Sequence, residues 1–409
     1  MAKKDSVVVG LDIGTTKICV LAAEPAAENN INILGTGTSP SKGLRKGAVV
    51  NIEDTVDSIM KAVQEAEKKT GIKIKSVHTG ITGSHISGIN SKGVIGIKDQ
   101  EVTMADIERA IEAARAVAIP PDREILHVIP QEFIIDGQSG IKNPLGISGV
   151  RLEVQVHIIT GASTSIQNIV KSINKAGLEV ADIILQPLAS SEAVLTQDEK
   201  DLGVALIDIG GGTTDVAIFI NGSVCHTAVV GIGGINVTND LAIGLRTTTV
   251  EAERLKVEYG CALTSRAKEG EPIEISSIGG RPPRFVSRQN ISEIIEPRAE
   301  EIFSIALKEL KKIDYIDMLS SGIVITGGSS IMEGMVDVAE KITGMPVRIG
   351  VPTNRKGIPE SYNHPMHSSG IGILLCALQQ QGIADKSVKA GYGFDNIFQK
   401  MKGWFGGVF

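Results

Sequence analysis

Val7-Val-Val-Gly-Leu-Asp12-Ile-Gly-Thr-Thr-Lys17-Ile-Cys-Val-Leu21 and, about half a chain later, Gly203-Val-Ala-Leu-Ile-Asp208-Ile-Gly-Gly-Gly-Thr-Thr-Asp215-Val-Ala-Ile-Phe219 decide the fold. Each is an apolar, β-branched run, then Asp, then a Gly/Thr turn, then a second such run, which is the pattern of a β-hairpin. Two copies so far apart predict two similar lobes, each opening on a strand–turn–strand unit. The turns carry their own chemistry. Gly14, Gly210, Gly211 and Gly212 let the backbone approach a ligand, and the N–H groups of such a turn form an anion-binding nest. Thr15, Thr16, Thr213 and Thr214 add hydroxyl donors. Asp12 and Asp208 end apolar strands, where an unpaired buried carboxylate is costly. A hydrated Mg²⁺, which keeps several waters and takes few carboxylates, is a fitting partner. Lys17 is placed to pair with a phosphate as a point charge. Read alone, either turn is also a plain glycine turn; the pair, at corresponding points of two lobes, is far more specific. No GxxxxGK[ST] occurs, so P-loop chemistry is not expected.

The surrounding text agrees with a two-lobed α/β chain. A length of 409 residues is too great for one core. The chain is 42% hydrophobic and 22% charged, ordinary for a globular protein. A net charge of −6 with no basic block argues against a nucleic-acid backbone binder. Cys19, Cys225, Cys261 and Cys376 form no CxxC pair, so free buried thiols are expected rather than disulfides or zinc. Asp12 and Lys17 interrupt the first apolar run, so no signal peptide is expected, and no apolar stretch reaches 18 residues. Helical spacing predicts helices over 53–69 and 104–117, the second with Thr103 as N-cap and Asp106 three residues on. Residues 125–160 read as the strands of an inserted α+β subdomain, 293–312 as a long charged helix, and 322–327 as a buried strand ending at Gly327-Gly328.

From Gly382 the text turns small and polar, a linker. Beyond it, Phe394, Ile397, Phe398, Met401, Trp404, Phe405, Val408 and Phe409 make an i, i+3/i+4 stripe opposite Asn396, Gln399, Lys400 and Lys402. Half of the eight Phe and the single Trp fall in this tail. An amphipathic helix docked on its own domain would show the same stripe. The aromatic–Lys mix and the helix-weakening Gly403, Gly406 and Gly407 point instead to an interfacial membrane helix.

With these residues in hand, the chain resembles the actin, sugar kinase and heat-shock chaperone superfamily. That resemblance implies that the two hairpins clasp the phosphates of ATP with Mg²⁺ from opposite lobes, and that Gly327-Gly328 and Ser329 face the adenine. Pro187-Leu-Ala-Ser-Ser-Glu-Ala-Val-Leu195, Ala252-Glu-Arg-Leu-Lys256 before Tyr259-Gly, Ile294-Ile-Glu-Pro-Arg298 and the stretch 143–157 narrow the resemblance to the FtsA family of bacterial cell-division proteins, over nearly the whole chain. The family implies that Glu192 orders the attacking water and that Glu253 and Lys256 lie beside ribose and adenine. On residue type alone, Glu192 also reads as a solvated or capping acid, and Glu253 and Lys256 as an ordinary i,i+3 pair. Nucleotide binding with at most slow hydrolysis is expected.

The expected architecture is an actin-like two-lobed α/β fold with duplicated nucleotide-binding subdomains. The first lobe core is 1–83 with 162–200, and the inserted subdomain 84–161. The second lobe core is 201–225 with 300–381, and its small subdomain 226–299. A linker over 382–392 precedes a membrane-targeting helix over 393–409. The resemblance further implies self-association as an actin-like polymer, attachment to lipid at the cytoplasmic face of the cell membrane, and binding of the FtsZ C-terminal tail by the small subdomain. Arg284, Arg288, Arg298 and Glu301 are the candidates there, because arginines suit an acidic tail; any one of them also reads as part of a solvated helix face. Later division proteins and self-contacts fall to the insertion. Three rivals are weaker. A small-molecule kinase lacks a catalytic carboxylate motif, a chaperone ATPase lacks a peptide-binding domain, and a pilus-assembly relative lacks the 143–157 text and the aromatic tail.

Overall fold

The first quoted segment folds as a hairpin in the computed structural model, which describes residues 7–380 except 27–30, 269, 278–281, 313–315 and 353–357. Strands β1 (Val8–Ile13) and β2 (Lys17–Pro25) pair antiparallel, with Asp12 opposite Cys19. β3 (Ile31–Pro40) extends the meander. A small hairpin of β4 (Leu44–Arg45) and β5 (Ala48–Val49) then leads to helix α1 (Ile52–Thr70). Asn51 caps α1 by accepting from the Asp54 N–H, and Gly71, at φ +69°, closes it in the left-handed conformation. Val56, Ile59, Ala62, Val63 and Ala66 form the buried face. β6 (Ser76–Ile81) returns parallel to β1.

The chain then leaves this sheet for a second one. β7 (Ser87–Gly96), α2 (Met104–Arg115), β8 (Arg123–Ile135), β9 (Gln138–Ile141) and β10 (Arg151–Ala162) make a four-stranded antiparallel sheet in the order β7-β10-β8-β9, with α2 against β7 and β10. Thr103 and Asp106 form a full capping box on α2, which ends at Arg115, two residues before the helical spacing gives out. Helix α3 (Ser163–Lys175) and β11 (Glu179–Leu185) return to the first sheet, whose order is β11-β6-β1-β2-β3.

Helices α4 (Gln186–Val194) and α5 (Gln197–Leu202) lead into the second lobe. There β12 (Val204–Ile209), β13 (Thr214–Ile220) and β14 (Ser223–Val230) repeat the opening meander. Helices α6 (Gly234–Gly244) and α7 (Thr249–Tyr259), the short pair β15 (Ile273–Ile275) and β16 (Arg284–Val286), and α8 (Arg288–Leu310) follow. α8 starts five residues before the predicted 293 because Ser287 and Asn290 form its capping box, and it carries Pro297 inside. β17 (Ile323–Thr326), α9 (Met335–Thr343), β18 (Val347–Ile349) and α10 (Ser368–Gln380) complete the lobe. Its sheet, β14-β13-β12-β17-β18, has the strand pairing of the first, with β17 and β18 in the places of β6 and β11.

Each lobe has a core, and a further cluster joins them. Val8, Leu21 and Ala23 of the first sheet, Leu206, Ala217 and Phe219 of the second, and Ile371, Leu374 and Leu375 of α10 pack together. The insertion is also tied to the second lobe. Asn90 donates to the Cys225 carbonyl (3.1 Å), Gln131 to the Val224 carbonyl (2.9 Å), and Ser223 to the Gln131 carbonyl (3.0 Å). Buried His157 sits between Asn90 Oδ1 (2.6 Å) and Thr227 Oγ1 (2.9 Å).

None of the four cysteines is in a disulfide, but only Cys19 and Cys261 are buried; Cys225 and Cys376 are half-buried, a correction to the expectation for them. Among the described residues no helix is long and apolar enough to cross a membrane. The tail positions Phe394, Ile397, Phe398, Met401, Trp404 and Phe405, and the linker before them, lie outside the described residues.

Candidate functional site

The two Gly/Thr turns have the same construction. Gly14 N–H donates to the Lys17 carbonyl (3.0 Å) and Gly210 N–H to the Thr213 carbonyl (2.9 Å), so each four-residue turn is closed by the same bond. The turns face each other. A Cβ on Gly211 would lie 2.5 Å from Thr16 Cγ2, and one on Gly212 would lie 2.5 Å from Thr15 Oγ1. Only glycine admits this approach of one lobe's turn to the other's threonines.

Beneath the turns lie three buried carboxylates. Asp12 and Asp208 sit at equivalent places in β1 and β12, and Asp215 is the register partner of Asp208 on β13. Burial raises the Asp12 pKa to about 6, with nearby Lys17 opposing and Asp208 adding to the rise. Burial also raises Asp208, against hydrogen bonds from Ser190 and Ser369. Asp215 is raised well above the usual range, by burial first and then by Asp208, while Thr82 and Thr213 oppose. The polar partners come from both lobes and from the helices between them. Gln186 Nε2 donates to Asp12 (2.7 Å), Ser190 Oγ to Asp208 (2.5 Å), Ser369 Oγ to Asp208 (3.1 Å) and Thr82 Oγ1 to Asp215 (2.8 Å). Lys17 Nζ reaches the Met366 carbonyl on the far lobe (3.3 Å).

The remaining predicted positions divide. Gly327, at φ +88°, closes on Asp208: a Cβ there would lie 2.4 Å from Asp208 Oδ1. Ser329 Oγ donates to the Gly210 carbonyl (3.1 Å), and Gly234 N–H donates to the same carbonyl (3.0 Å). Gly328 is more open, with Met366 Cβ 3.9 Å from where its Cβ would be. Lys256 Nζ binds Glu253 (2.7 Å), Thr238 (2.9 Å) and the Gly234 carbonyl (3.3 Å). That network therefore adjoins the second turn through Gly234 and Ser329. A Cβ on Gly234 would lie 2.4 Å from Ser329 Oγ and 3.5 Å from Lys256 Nζ.

Glu192 accepts from the nearly buried Lys200 (2.6 Å) and from Gln379 (3.3 Å). Gln186 and Ser190, four residues apart on α4, share the cleft face, and Glu192 lies about 200° around the helix from Ser190. Gln186, Ser190, Asp215, Thr82 and Ser369 are the members that the sequence reading missed. A Gln and a Ser at i and i+4 on one helix face were a usable signal for the first two.

The second-lobe candidates are engaged within the chain. Arg298 makes a bidentate pair with Asp240 (2.6 and 3.0 Å) and also binds Glu301. Arg288 pairs with Glu333 (2.5 Å) and donates to the Tyr259 carbonyl (3.1 Å). Arg284 donates to Ser277 (3.2 Å) and to the Leu245 carbonyl.

The donor set fits a magnesium nucleotide. Gly211 and Gly212 carry no side chain of their own that would keep a phosphate from their backbone N–H groups. Three carboxylates with raised pKa values, beside the cation of Lys17, are the surroundings that a hydrated divalent ion would relieve.

Comparison with known proteins gives concordant matches. A family model described as "Cell division protein FtsA" matches residues 205–372, and one described as "SHS2 domain inserted in FTSA" matches 83–160. The cell division protein FtsA of Pseudomonas aeruginosa is 49% identical over 408 residues, 98% of each chain. That of Neisseria meningitidis is 47% identical over 399 residues, 96% of each, and that of Escherichia coli 41% over 374 residues, 90% of this chain and 89% of that protein. Among solved structures, a PilM-PilN type IV pilus biogenesis complex aligns with TM-score 0.64 at 17% identity, covering 91% of this chain and 98% of that one. MreB5 of Spiroplasma citri bound to ADP aligns with TM-score 0.57 at 14% identity, covering 95% and 100%. These distant structures establish the actin-like fold.

Proposed function

This chain belongs to the FtsA family of cell-division proteins, and on that footing we propose that it is a Mg-ATP-binding membrane tether. In this reading it binds nucleotide between its lobes and self-associates as an actin-like filament at the inner face of the cell membrane. There it holds FtsZ filaments by their C-terminal tails. The observation that carries the reading is the meeting of the two turns, Thr15 and Thr16 against Gly212 and Gly211, above Asp12 and Asp208.

Nucleotide would supply a terminal phosphate whose charge Mg²⁺ partly neutralises. Asp12 and Asp208 would hold the hydrated ion. The backbone of Gly14 and Gly210 to Gly212, the hydroxyls of Thr15, Thr16, Thr213 and Thr214, and Lys17 would hold the phosphates. Gly327, Gly328, Ser329, Glu253 and Lys256 would border the nucleoside. Glu192 would order the attacking water, or Gln186 would do so from the same helix, with its amide donating to Asp12. The lobes would divide as 1–83 with 162–200 and 201–225 with 300–381. The 84–161 insertion would serve self-contacts and later division proteins, and 226–299 would bear the FtsZ-tail site with Arg284, Arg288, Arg298 and Glu301.

The membrane role rests on the tail's aromatic stripe. Each large side chain entering the interface contributes about 1.5–3 kcal/mol, against the cost of ordering the helix. Single copies then bind reversibly and a filament binds by avidity. A pilus scaffold is not favoured, since relatives over nearly the whole chain are cell-division proteins.

The test is vesicle co-sedimentation of the full chain and of a 1–392 truncation, each with and without Mg-ATP. Sedimentation of the full chain alone, strengthened by Mg-ATP, is expected. Equal behaviour of the two would make the tail structural and remove the tether.

A further inference from the structure

The β4–β5 hairpin turns on two residues, Lys46 and Gly47, both left-handed at φ +51° and +76°. Such a turn suits Asn, Asp or Gly at its first position, and a lysine there is a locally disfavoured choice. The turn is pressed into the cleft. Gly47 is buried, a Cβ on it would lie 2.8 Å from Gly83 Cα and from the Thr82 carbonyl, and its N–H donates to Thr15 Oγ1 (3.3 Å). The hairpin tip is therefore seated between the first phosphate turn and the loop that carries Thr82.

From that seat Lys46 crosses to the other lobe. Its stem runs along Gly231, where an added Cβ would lie 3.0 Å from Lys46 Cδ and 3.7 Å from Cε. Gly231 follows β14 and precedes Gly233 and Gly234; Gly234 N–H holds the Gly210 carbonyl of the second turn. The side chain is exposed, and among the described residues no carboxylate pairs with its ammonium. A lone surface lysine is ordinarily just solvated. This one is held in a costly conformation, with the neighbouring Gly47 bonded to Thr15 of the first turn and its own stem against Gly231 of the other lobe.

We propose that Lys46 is a phosphate-reading residue. Its ammonium engages the terminal phosphate of a bound nucleoside triphosphate, and the contact of its stem with Gly231 carries that engagement to the other lobe. The inference rests on the nucleotide reading above and goes beyond it in assigning discrimination between triphosphate and diphosphate to a residue outside the paired turns.

The experiment measures binding of fluorescent ATP and ADP, each with Mg²⁺, to the full chain and its variants. Lys46→Asn suits the left-handed turn and removes the charge, so it separates electrostatics from backbone geometry. Affinity for ATP is expected to fall on the order of 10-fold, as for loss of a charge-assisted bond, and affinity for ADP to change by less than about two-fold. Lys46→Arg is expected to retain the preference. Gly231→Ala, which crowds the lysine stem, is expected to weaken ATP binding in the same sense. Thermal melts matching the parent exclude a folding defect. An unchanged ratio of ATP to ADP affinity in Lys46→Asn, or an equal loss of both, overturns the proposal. Asp208→Ala distinguishes the underlying reading, because it is expected to lose both nucleotides. If the parent chain binds neither, the nucleotide site itself is wrong and the proposal falls with it.

Discussion

Thr82 Oγ1, at the end of the first lobe's β6, donates to Asp215 Oδ1 in the second lobe over 2.8 Å. The carboxyl is buried and its pKa is raised well above the usual range, by burial first and by Asp208 next. Thr82→Val keeps the shape and removes one donor, leaving Thr213 as the other. The expected loss is about 1 kcal/mol, read as a lowered urea midpoint without a change of slope. An unchanged midpoint would show that the bond does not hold the lobes together.

Gln186 and Glu192 make a contrasting pair on one helix. Gln186→Ala is expected to slow single-turnover phosphate release about 10²-fold if its amide orients the water. Glu192→Gln should leave that rate within about two-fold while weakening the Lys200 pair, at about 1–3 kcal/mol of stability. Rates falling instead in Glu192→Gln alone would return the role to that residue.

His157 predicts a pH dependence of stability. Burial first, and then His226, hold its pKa down to about 3 from 6.5. The Asn90 side chain donates to the Cys225 carbonyl, so its oxygen faces the ring; the neutral imidazole donates from Nδ1 and accepts from Thr227 at Nε2. Below pH 6.5 the unfolded state takes up a proton that the folded state refuses. This histidine's contribution is therefore intact above 6.5 and is lost as pH falls toward 3, at about 1.4 kcal/mol per unit. His85, His226 and His367 are shifted in the same direction and add to the slope. Asp12, Asp208 and Asp215, whose pKa values are raised, act in the opposite sense as pH falls, so the test is a difference. Between pH 7 and 5.5 the parent's urea midpoint should fall relative to that of His157→Gln, which should itself be the less stable at pH 7; a constant difference would exclude this histidine.

Arg298 needs a two-step test because Asp240 already holds it in a bidentate pair. Arg298→Asp is expected to weaken binding of an FtsZ C-terminal peptide at least 10-fold and to lower stability. Adding Asp240→Arg restores an opposite-charge pair, and with it stability. If peptide affinity returns as well, measured by fluorescence anisotropy, Arg298 acts only by bracing α6 against α8.

What the sequence made legible is what is encoded locally. Both hairpins are complete within about fifteen residues, from apolar run to Asp to turn to apolar run, so their pairing needed no distant information. The Thr103–Asp106 capping box and the buried face of α1 were readable for the same reason. The cleft's other members come from separate elements: Gln186 and Ser190 from α4, Ser369 from α10, Thr82 from the end of β6. Their convergence is a property of packing, and no short window contains it. The arginine candidates have the right chemistry, but sequence alone does not reveal that Asp240, Glu333 and the Leu245 carbonyl already occupy them.

The insertion's attachment to β14 has a mechanical consequence. Its sheet grows out of the first lobe at Ser87 and Ala162, yet Asn90, Gln131 and His157 fasten it to the edge strand of the second. If nucleotide turns the lobes against each other, an arm pinned to both acts as a crank. A small angular change at the cleft must either swing the arm's free end, at α2 and β9, or shear the pins. Traffic runs the other way too: a load applied at that end becomes torque on the jaws.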